Sequence, residues 1–261
     1  MLHKAEGKES SRFIEVLMRS VDILELFLSE DELRLKDIHR LTGLQKNRIM
    51  RICGTLVTRD YLCFDPETKT YTPGPMLFLL GRRYDRNSSK IARIREALLR
   101  LADSTGETTT FSIASGVERI CMALHEGKNA IRFSVEEGSK TPIYAGAGGK
   151  VLLAFMSQER AKKIIDNIAM IAVTPQTVTS KETLLEQLEE IRSCGYAVSL
   201  GENIPNAAGL AAPVFGMERA LEGVVNVAGP AVNFDEGKFR RYLPDLLEIC
   251  SQLSTLLGCP K

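Results

Sequence analysis

Asn47, Arg48 and Arg51 recur at spacings that bring them to one side of a helix, and their side chains are of the kinds that read nucleic acid. A guanidinium can donate two parallel hydrogen bonds to a guanine edge or to a phosphate, and a carboxamide pairs in the same way with adenine. The local charge agrees. Residues 34–59 hold seven Lys and Arg against Asp37 alone, a balance of +6, while the preceding 33 residues balance to −4 and the whole chain to +1. Such segregation creates a local positive field. A solvated helix face is the bland alternative, and the spacing weighs against it. On a helical wheel beginning near Gln45, Ile49, Met50, Ile52, Cys53, Leu56 and Val57 share one arc. Asn47, Arg48, Arg51, Gly54, Thr55 and Thr58 share the opposite arc, which carries no acid.

Other chemistries are weaker. Ala145-Gly146-Ala147-Gly148-Gly149-Lys150 resembles a phosphate loop, but Tyr144 and Val151 stand where that motif needs Gly and Ser or Thr. Nucleotide hydrolysis is therefore excluded. What remains is either an anion held on exposed helix amides or glycines that only permit close packing. The six cysteines, at 53, 63, 121, 194, 250 and 259, form no CxxC pair, and with His3, His39 and His125 they complete no metal-binding spacing. No metal site and no cofactor are expected, and scattered cysteines suit a reducing cytoplasm. His125 has no nucleophile in a recognisable motif beside it, and no GxSxG elbow is present, so the chain does not read as an enzyme.

The elements that would position these residues follow from periodicity. Ile14, Leu17, Val21, Leu24 and Phe27 predict an amphipathic helix over 13–29. Leu35, Ile38 and Leu41 predict a short second helix stopped by Gly43, and the basic helix follows from about Gln45. Tyr61 to Phe64 and Thr70 to Thr72, joined by Asp65-Pro66-Glu67-Thr68-Lys69, predict a hairpin. Helix, short helix, tight turn, basic helix and hairpin is the order of a winged helix-turn-helix, mainly α with a small β wing. Met76 to Arg83 reads as one more short helix, and polar Asp85 to Lys90 marks a boundary. Apolar positions 91, 94, 98 and 101 predict a linker helix to about Ser104, packed either on a partner copy or within its own domain.

Further on, strands are predicted at 108–114, 119–124, 130–135, 196–200, 209–215 and 221–228. Helices are predicted at 148–156, at 158–167, behind a capping box Thr179-Ser180-Lys181-Glu182, and from about Asp235 to Leu257. Blocks of strands and helices imply an α+β domain with an antiparallel sheet. The expected organisation is 1–86 for DNA binding, 87–104 as linker helix and 105–261 as a second, α+β domain. Beyond Lys90 the chain holds 18 bases and 20 acids, which is no second nucleic-acid surface. At 261 residues, 44% hydrophobic and 26% charged, it is globular in composition. It has no apolar run near the roughly 18 residues of a membrane helix, and polar Met1 to Arg12 reads as no secretion signal.

These residues carry a family resemblance. RSVDILELF (19–27), LKDIHRLTGLQKNRI (35–49), LVTRDYLCFDPETKTYTPGPMLFLLG (56–81), PIYAGAGGKVLLAF (142–155), LEEIRSCGYAVS (188–199) and GLAAPVFGMERALEGVVNVAGP (209–230) occur in the order found in IclR-type transcriptional regulators, which the chain resembles. The resemblance implies a winged helix-turn-helix followed by a GAF-like effector-binding domain. It also implies a dimer, or a dimer of dimers, on double-stranded DNA at a palindromic operator, modulated by a small metabolite, often a carboxylate or an aromatic compound. By the same resemblance the effector pocket would be lined by Ala145, Gly146, Ala147 and Gly148, together with Ser199, Gly209, Asn226 and Ala228. The chain departs from the family pattern here. An acidic residue common near 199 is missing, Gly209 stands where Cys can occur, and Asn226 and Ala228 replace small hydroxyl residues. These changes point to an effector larger or less polar than glyoxylate or pyruvate.

The resulting expectation is that two copies pair through their N-terminal helices and set helix 45–58 in successive major grooves. Asn47, Arg48 and Arg51 would read bases, while Lys46, Thr55, Lys69 and Tyr71 would hold the backbone, with Gln45 also at the DNA-binding surface. The rival is a metabolite-sensing or enzymatic domain with an N-terminal protein-docking module. Acids on the polar arc would favour that rival, and there are none.

Overall fold

The computed structural model describes residues 13–86, 89–234 and 236–259. Met1 to Arg12, Asn87-Ser88 at the expected boundary, and Asp235 at the expected start of the last helix lie outside them. The chain divides into two compact units between residues 87 and 88.

The first unit runs α1 (Glu15–Leu26), β1 (Leu33–Arg34), α2 (Leu35–Thr42), α3 (Lys46–Thr58), β2 (Leu62–Asp65), β3 (Thr70–Pro73) and α4 (Pro75–Arg86). Its core gathers Ile23, Leu33, Ile38, Leu44, Ile49, Ile52, Cys53, Leu62 and Tyr71. Gly43 ends α2 at φ 70°, its N–H bonded to the His39 carbonyl, so the chain reverses into α3 within three residues. The hairpin of β2 and β3 gains a third strand that periodicity did not show. Two-residue β1 pairs antiparallel with Thr70 and Tyr71, too short for any alternation to be visible. The stripe predicted along α1 is only partly a core face. Ile23 is buried, but Ile14 is 72% and Leu17 61% exposed, and Val21, on the same face, is exposed too. Spacing reveals that a face is apolar without saying what covers it. Met50, expected on the buried arc of α3, is likewise exposed.

The second unit is a six-stranded antiparallel sheet between two helical layers. Its elements are α5 (Ser89–Thr105), β4 (Thr108–Ser115), β5 (Glu118–His125), β6 (Lys140–Pro142), α6 (Ala147–Phe155), α7 (Gln158–Asn167), α8 (Lys181–Cys194), β7 (Ala197–Leu200), β8 (Ala207–Phe215), β9 (Leu221–Pro230) and α9 (Glu236–Leu256), with strand order β6-β5-β4-β9-β8-β7. Because side chains alternate along a strand, β9 sends Val225 and Val227 into a core with α5 and α9, and Val224 toward α6, α7 and α8. The helix expected as a linker packs inside this unit, burying Ile91, Ile94, Leu98 and Leu101 against the sheet and α9.

Two local expectations are corrected. Residues 130–135 are not a strand: Ile131 is 73% exposed. The edge of β5 that it would need is taken by Lys140–Pro142, by Gly138 and Ser139, and by the Glu137 carboxylate, which accepts from Leu124 N–H. The cap of α8 is Ser180 rather than Thr179. Ser180 Oγ accepts from Thr183 N–H at 3.3 Å and donates to Glu182.

Candidate functional site

α3 turns Ile49, Ile52 and Cys53 into the core, which obliges its other side to face outward. Lys46, Asn47, Arg51, Gly54, Thr55 and Thr58 are all exposed. Among the described residues neither Lys46 nor Arg51 makes an ion pair, and no acid lies on the arc. Arg48 is different, because its guanidinium pairs with Glu15 of α1 at 3.1 Å. Thr55 Oγ1 donates to the Arg51 carbonyl and Thr58 Oγ1 to that of Gly54, so both hydroxyls are already engaged with their own helix. Gln45, exposed, is the N-cap residue of α3.

At the wing, Asp65 Oδ1 accepts from Glu67 N–H at 2.8 Å, and these amide donors hold the carboxyl below the usual range. Lys69 sits exposed at φ 57° on the tip, without an ion pair among the described residues. Tyr71 is the correction at this surface. Its ring lies in the core, 4.8 Å from that of Phe64, and burial pushes its hydroxyl pKa up. It supports the wing from within and is poorly placed to hold a DNA strand.

In the second unit the strand register builds a cavity beneath α6. Ser199 of β7 pairs with Gly209 of β8, Gly209 with Ala228 of β9, and Ala228 with Thr108 of β4. One row of residues thus runs across four strands on the α6 side. Gly146, Ala147, Ser199, Gly209, Asn226 and Ala228 line one cavity of about 30 Å³, with Arg119, Phe133, Glu202, Asn203 and Ile204. A second cavity, of about 20 Å³, shares Arg119, Phe133 and Asn226 and adds Thr110, Ser112 and Thr141. Ala145 and Gly148 are not lining residues of either. Ala145 is fully buried in the core under α6, and Gly148 lies beneath the Arg119 guanidinium. The lining mixes polar side chains with Phe133, Ile204 and several alanines, and the space is small.

The glycines of the 145–150 segment now have separate reasons. Gly146 adopts φ 80° before α6, and a Cβ at 149 would collide with the Ile143 carbonyl, which is close packing. A Cβ at 148 would collide with Arg119 Nη1. The N–H of Gly146, the N-cap residue of α6, is engaged inside the protein, donating to Glu202 Oε2 at 3.2 Å. Glu202 Oε1 meets Lys150 Nζ at 2.5 Å, and Lys150 is 3% exposed and donates also to Gln187 Oε1. The carboxylate missing near 199 is thus supplied three residues later. Arg119 itself is partly buried. Its Nε donates to Thr141 Oγ1 at 2.7 Å, burial lowers its pKa, and it makes no ion pair among the described residues. Asn226 is 5% exposed.

Sequence reasoning passed over Arg119, Lys150 as an ion-pair partner, and Glu202. They belong to β5, α6 and the turn after β7, and no local pattern ties them together. Among the described residues no group of three or more His, Cys, Asp and Glu is placed to hold a metal ion. No described helix is long and apolar enough to cross a membrane.

Comparison with known proteins gives concordant results. Residues 16–66 match the model of the IclR helix-turn-helix domain, and residues 87–255 that of the bacterial transcriptional regulator IclR C-terminal domain. The chain is 28% identical over 248 residues to the HTH-type transcriptional regulator BhcR of Paracoccus denitrificans, covering 95% of this chain and 89% of that one. It is 25% identical over 245 residues to the HTH-type transcriptional repressor AllR of Escherichia coli K12, covering 94% and 90%. An IclR transcriptional regulator from Alicyclobacillus acidocaldarius superposes with a TM-score of 0.83 at 25% identity, covering 94% and 100%. An IclR homologue from Microbacterium hydrocarbonoxydans, solved in complex with 4-hydroxybenzoate, superposes with a TM-score of 0.80 at 21% identity, covering 93% and 98%. Both curated relatives are named as transcriptional regulators and neither as an enzyme.

Proposed function

Since the chain belongs to the IclR family of bacterial transcriptional regulators, we propose that it binds a palindromic operator as a dimer, or a dimer of dimers, in the cytoplasm. The first unit, to residue 86, serves as the DNA reader, and the second, from about residue 105, as the sensor of a small carboxylate or aromatic metabolite. The observation that carries the DNA reading is the outer arc of α3, where exposed Lys46, Asn47 and Arg51 stand without an acid among them. Arg51 and Asn47 contact base edges, Arg48 does so on leaving Glu15, and Lys46 and Lys69 neutralise phosphates. The exposed Ile14, Leu17 and Val21 on α1 support pairing between copies, since burying such a face against a second copy removes it from water.

The small cavity beside α6, with Ser199 and Asn226 in its lining, supports effector binding, as does the relative solved with 4-hydroxybenzoate. An effector switches the regulator only if it binds one of two states more tightly than the other, and those states differ in DNA affinity.

The test is binding to the DNA flanking the protein's own gene, at two salt concentrations, with and without aromatic and aliphatic carboxylates. Specific binding whose logarithm falls steeply with that of the salt concentration, and which one compound alters, is the expected result. Absence of preference over random DNA under every condition would return the first unit to a protein-docking role.

A further inference from the structure

One cation of α3 is held by the protein itself. Arg48 Nη1 pairs with Glu15 Oε1 at 3.1 Å, while Lys46 and Arg51 make no ion pair among the described residues. Glu15 stands in the first turn of α1, where the positive end of the helix dipole favours a carboxylate. The same Oε1 lies 3.9 Å from Arg19 Nε, one turn along α1, within reach of an ion pair but beyond that of a hydrogen bond. Arg19 is anchored on its other side, its Nη1 donating to Asp22 Oδ2 at 3.1 Å. Its Nε is buried and has no hydrogen-bond partner among the described residues, an unfavourable state for a charged donor. One carboxylate therefore serves two guanidiniums. It is paired with that of α3, and it is about 1 Å too far from the one whose Nε lacks an acceptor.

We infer that Glu15 is a specificity-determining residue of the DNA reader. It keeps Arg48 from neutralising phosphates on random DNA, and it passes to Arg19 Nε when Arg48 meets a base edge on the operator. This rests on the DNA-reading role proposed above and goes past it in naming what gates the contact. A free guanidinium neutralises any phosphate it reaches, and such contacts carry no sequence information. An exposed ion pair opposes that gain by a factor of up to about five. A single screened phosphate contact is of the same order, so on random DNA Arg48 stays with Glu15. Two parallel hydrogen bonds to guanine are worth about five- to a hundredfold, enough to displace the carboxylate. The displaced Glu15 then gives the Arg19 Nε–H the acceptor it lacks, which offsets the pair that was broken. Arg48 thus contributes on the operator and is withheld elsewhere.

The test is competition binding of the full-length protein to the DNA flanking its own gene and to random DNA of equal length, over a range of salt concentrations. Glu15→Gln should lower the ratio of the two affinities at least about threefold, chiefly by tightening random DNA, whose salt slope should steepen by about one per reading head. Arg19→Gln should lower the same ratio at least about threefold by weakening the operator instead, and should add nothing in the Glu15→Gln background. In the Arg48→Ala background Glu15→Gln should have no effect. Glu25→Gln makes the same charge change elsewhere on α1 and should leave the ratio unaltered, which separates the pair from the general field. A smaller fall than threefold for Glu15→Gln would overturn the proposal. So would an equal fall for Glu25→Gln, an undiminished effect without Arg48, or additive effects of the Glu15 and Arg19 replacements. If the unaltered protein shows no preference for its own flanking DNA, the regulator reading fails and this inference with it. A preference that Glu15→Gln leaves intact sinks the Glu15 assignment alone.

Discussion

Removing the Glu202 carboxylate should destabilise the second unit more than almost any other single polar change. The Lys150 side chain is 4% exposed and that of Glu202 11%, so the pair is held largely out of water at 2.5 Å. In Glu202→Ala the ammonium keeps one neutral acceptor, Gln187, and Gly146 N–H loses its own. Breaking a buried pair from one side costs about 3–5 kcal/mol, because an uncompensated charge remains. The surviving Gln187 bond places this case at about 3 kcal/mol. For a unit of this size 1 kcal/mol corresponds to about 2–4 °C, so the melting transition should fall by about 6–12 °C. Replacing both partners with apolar residues, Lys150→Met with Glu202→Leu, removes the stranded charge and should recover most of that loss. Scanning calorimetry on the three proteins measures both quantities. A fall of under about 2 °C for Glu202→Ala would mean that water reaches the pair freely, and the enclosed cavity argued above would be refuted with it.

Other outcomes follow from the same geometry. Arg51→Ala should weaken operator binding by about 1–3 kcal/mol and relax specificity at one base pair per half-site; Lys69→Ala should weaken operator and random DNA alike and lower the salt slope by about one. Competition titrations distinguish them, and equal losses on both DNAs for Arg51→Ala would remove its base-reading role. Gly43→Ala should cost the first unit about 1 kcal/mol, because φ 70° is strained for any L side chain although no atom would obstruct it. Urea titration of the first unit's transition measures this. Burial pushes the Cys53 and Cys121 thiols up to about 11, whereas in the unfolded chain they ionise near about 8.5. Above that value the unfolded state holds fewer protons, so stability should fall between about pH 9 and pH 11. Replacing both cysteines with alanine should flatten this slope, which melting curves across that range would reveal.

The basic helix α3 could be read from the sequence because everything that defines it is local. Period, stop signal at Gly43 and charge on one arc all lie within 16 residues, from Gly43 to Thr58. The wing hairpin was legible for the same reason. The exposed face of α1 was not, since Ile14 and Leu17 have the spacing of core residues and differ only in having nothing over them. Residues 130–135 have strand-like side chains, but the neighbouring edge was already taken by residues 137–142, a competition invisible to local propensity. The resemblance to the family located the cavity through Ser199, Gly209, Asn226 and Ala228. The charges within it depend on contacts between Lys150 and Glu202, 52 residues apart, and between Arg119 and Thr141, 22 apart. Such pairings are consequences of topology, and a residue list read in order does not contain them.

On the effector-sensing role proposed above, the alternation along β8 and β9 bears on how such a sensor can diverge. Gly209, Asn226 and Ala228 line the cavity, while their neighbours Leu210, Val225 and Val227 fill the core with α9. Substitution at every second position can therefore retune what is sensed with little disturbance of what keeps the unit folded. Insertion or deletion of a single residue within either strand would exchange the two sets, sending Val227 into the pocket and Asn226 into the core. Lineages of such sensors should thus change their ligands by point replacement at alternate sites, with length changes confined to the connecting loops.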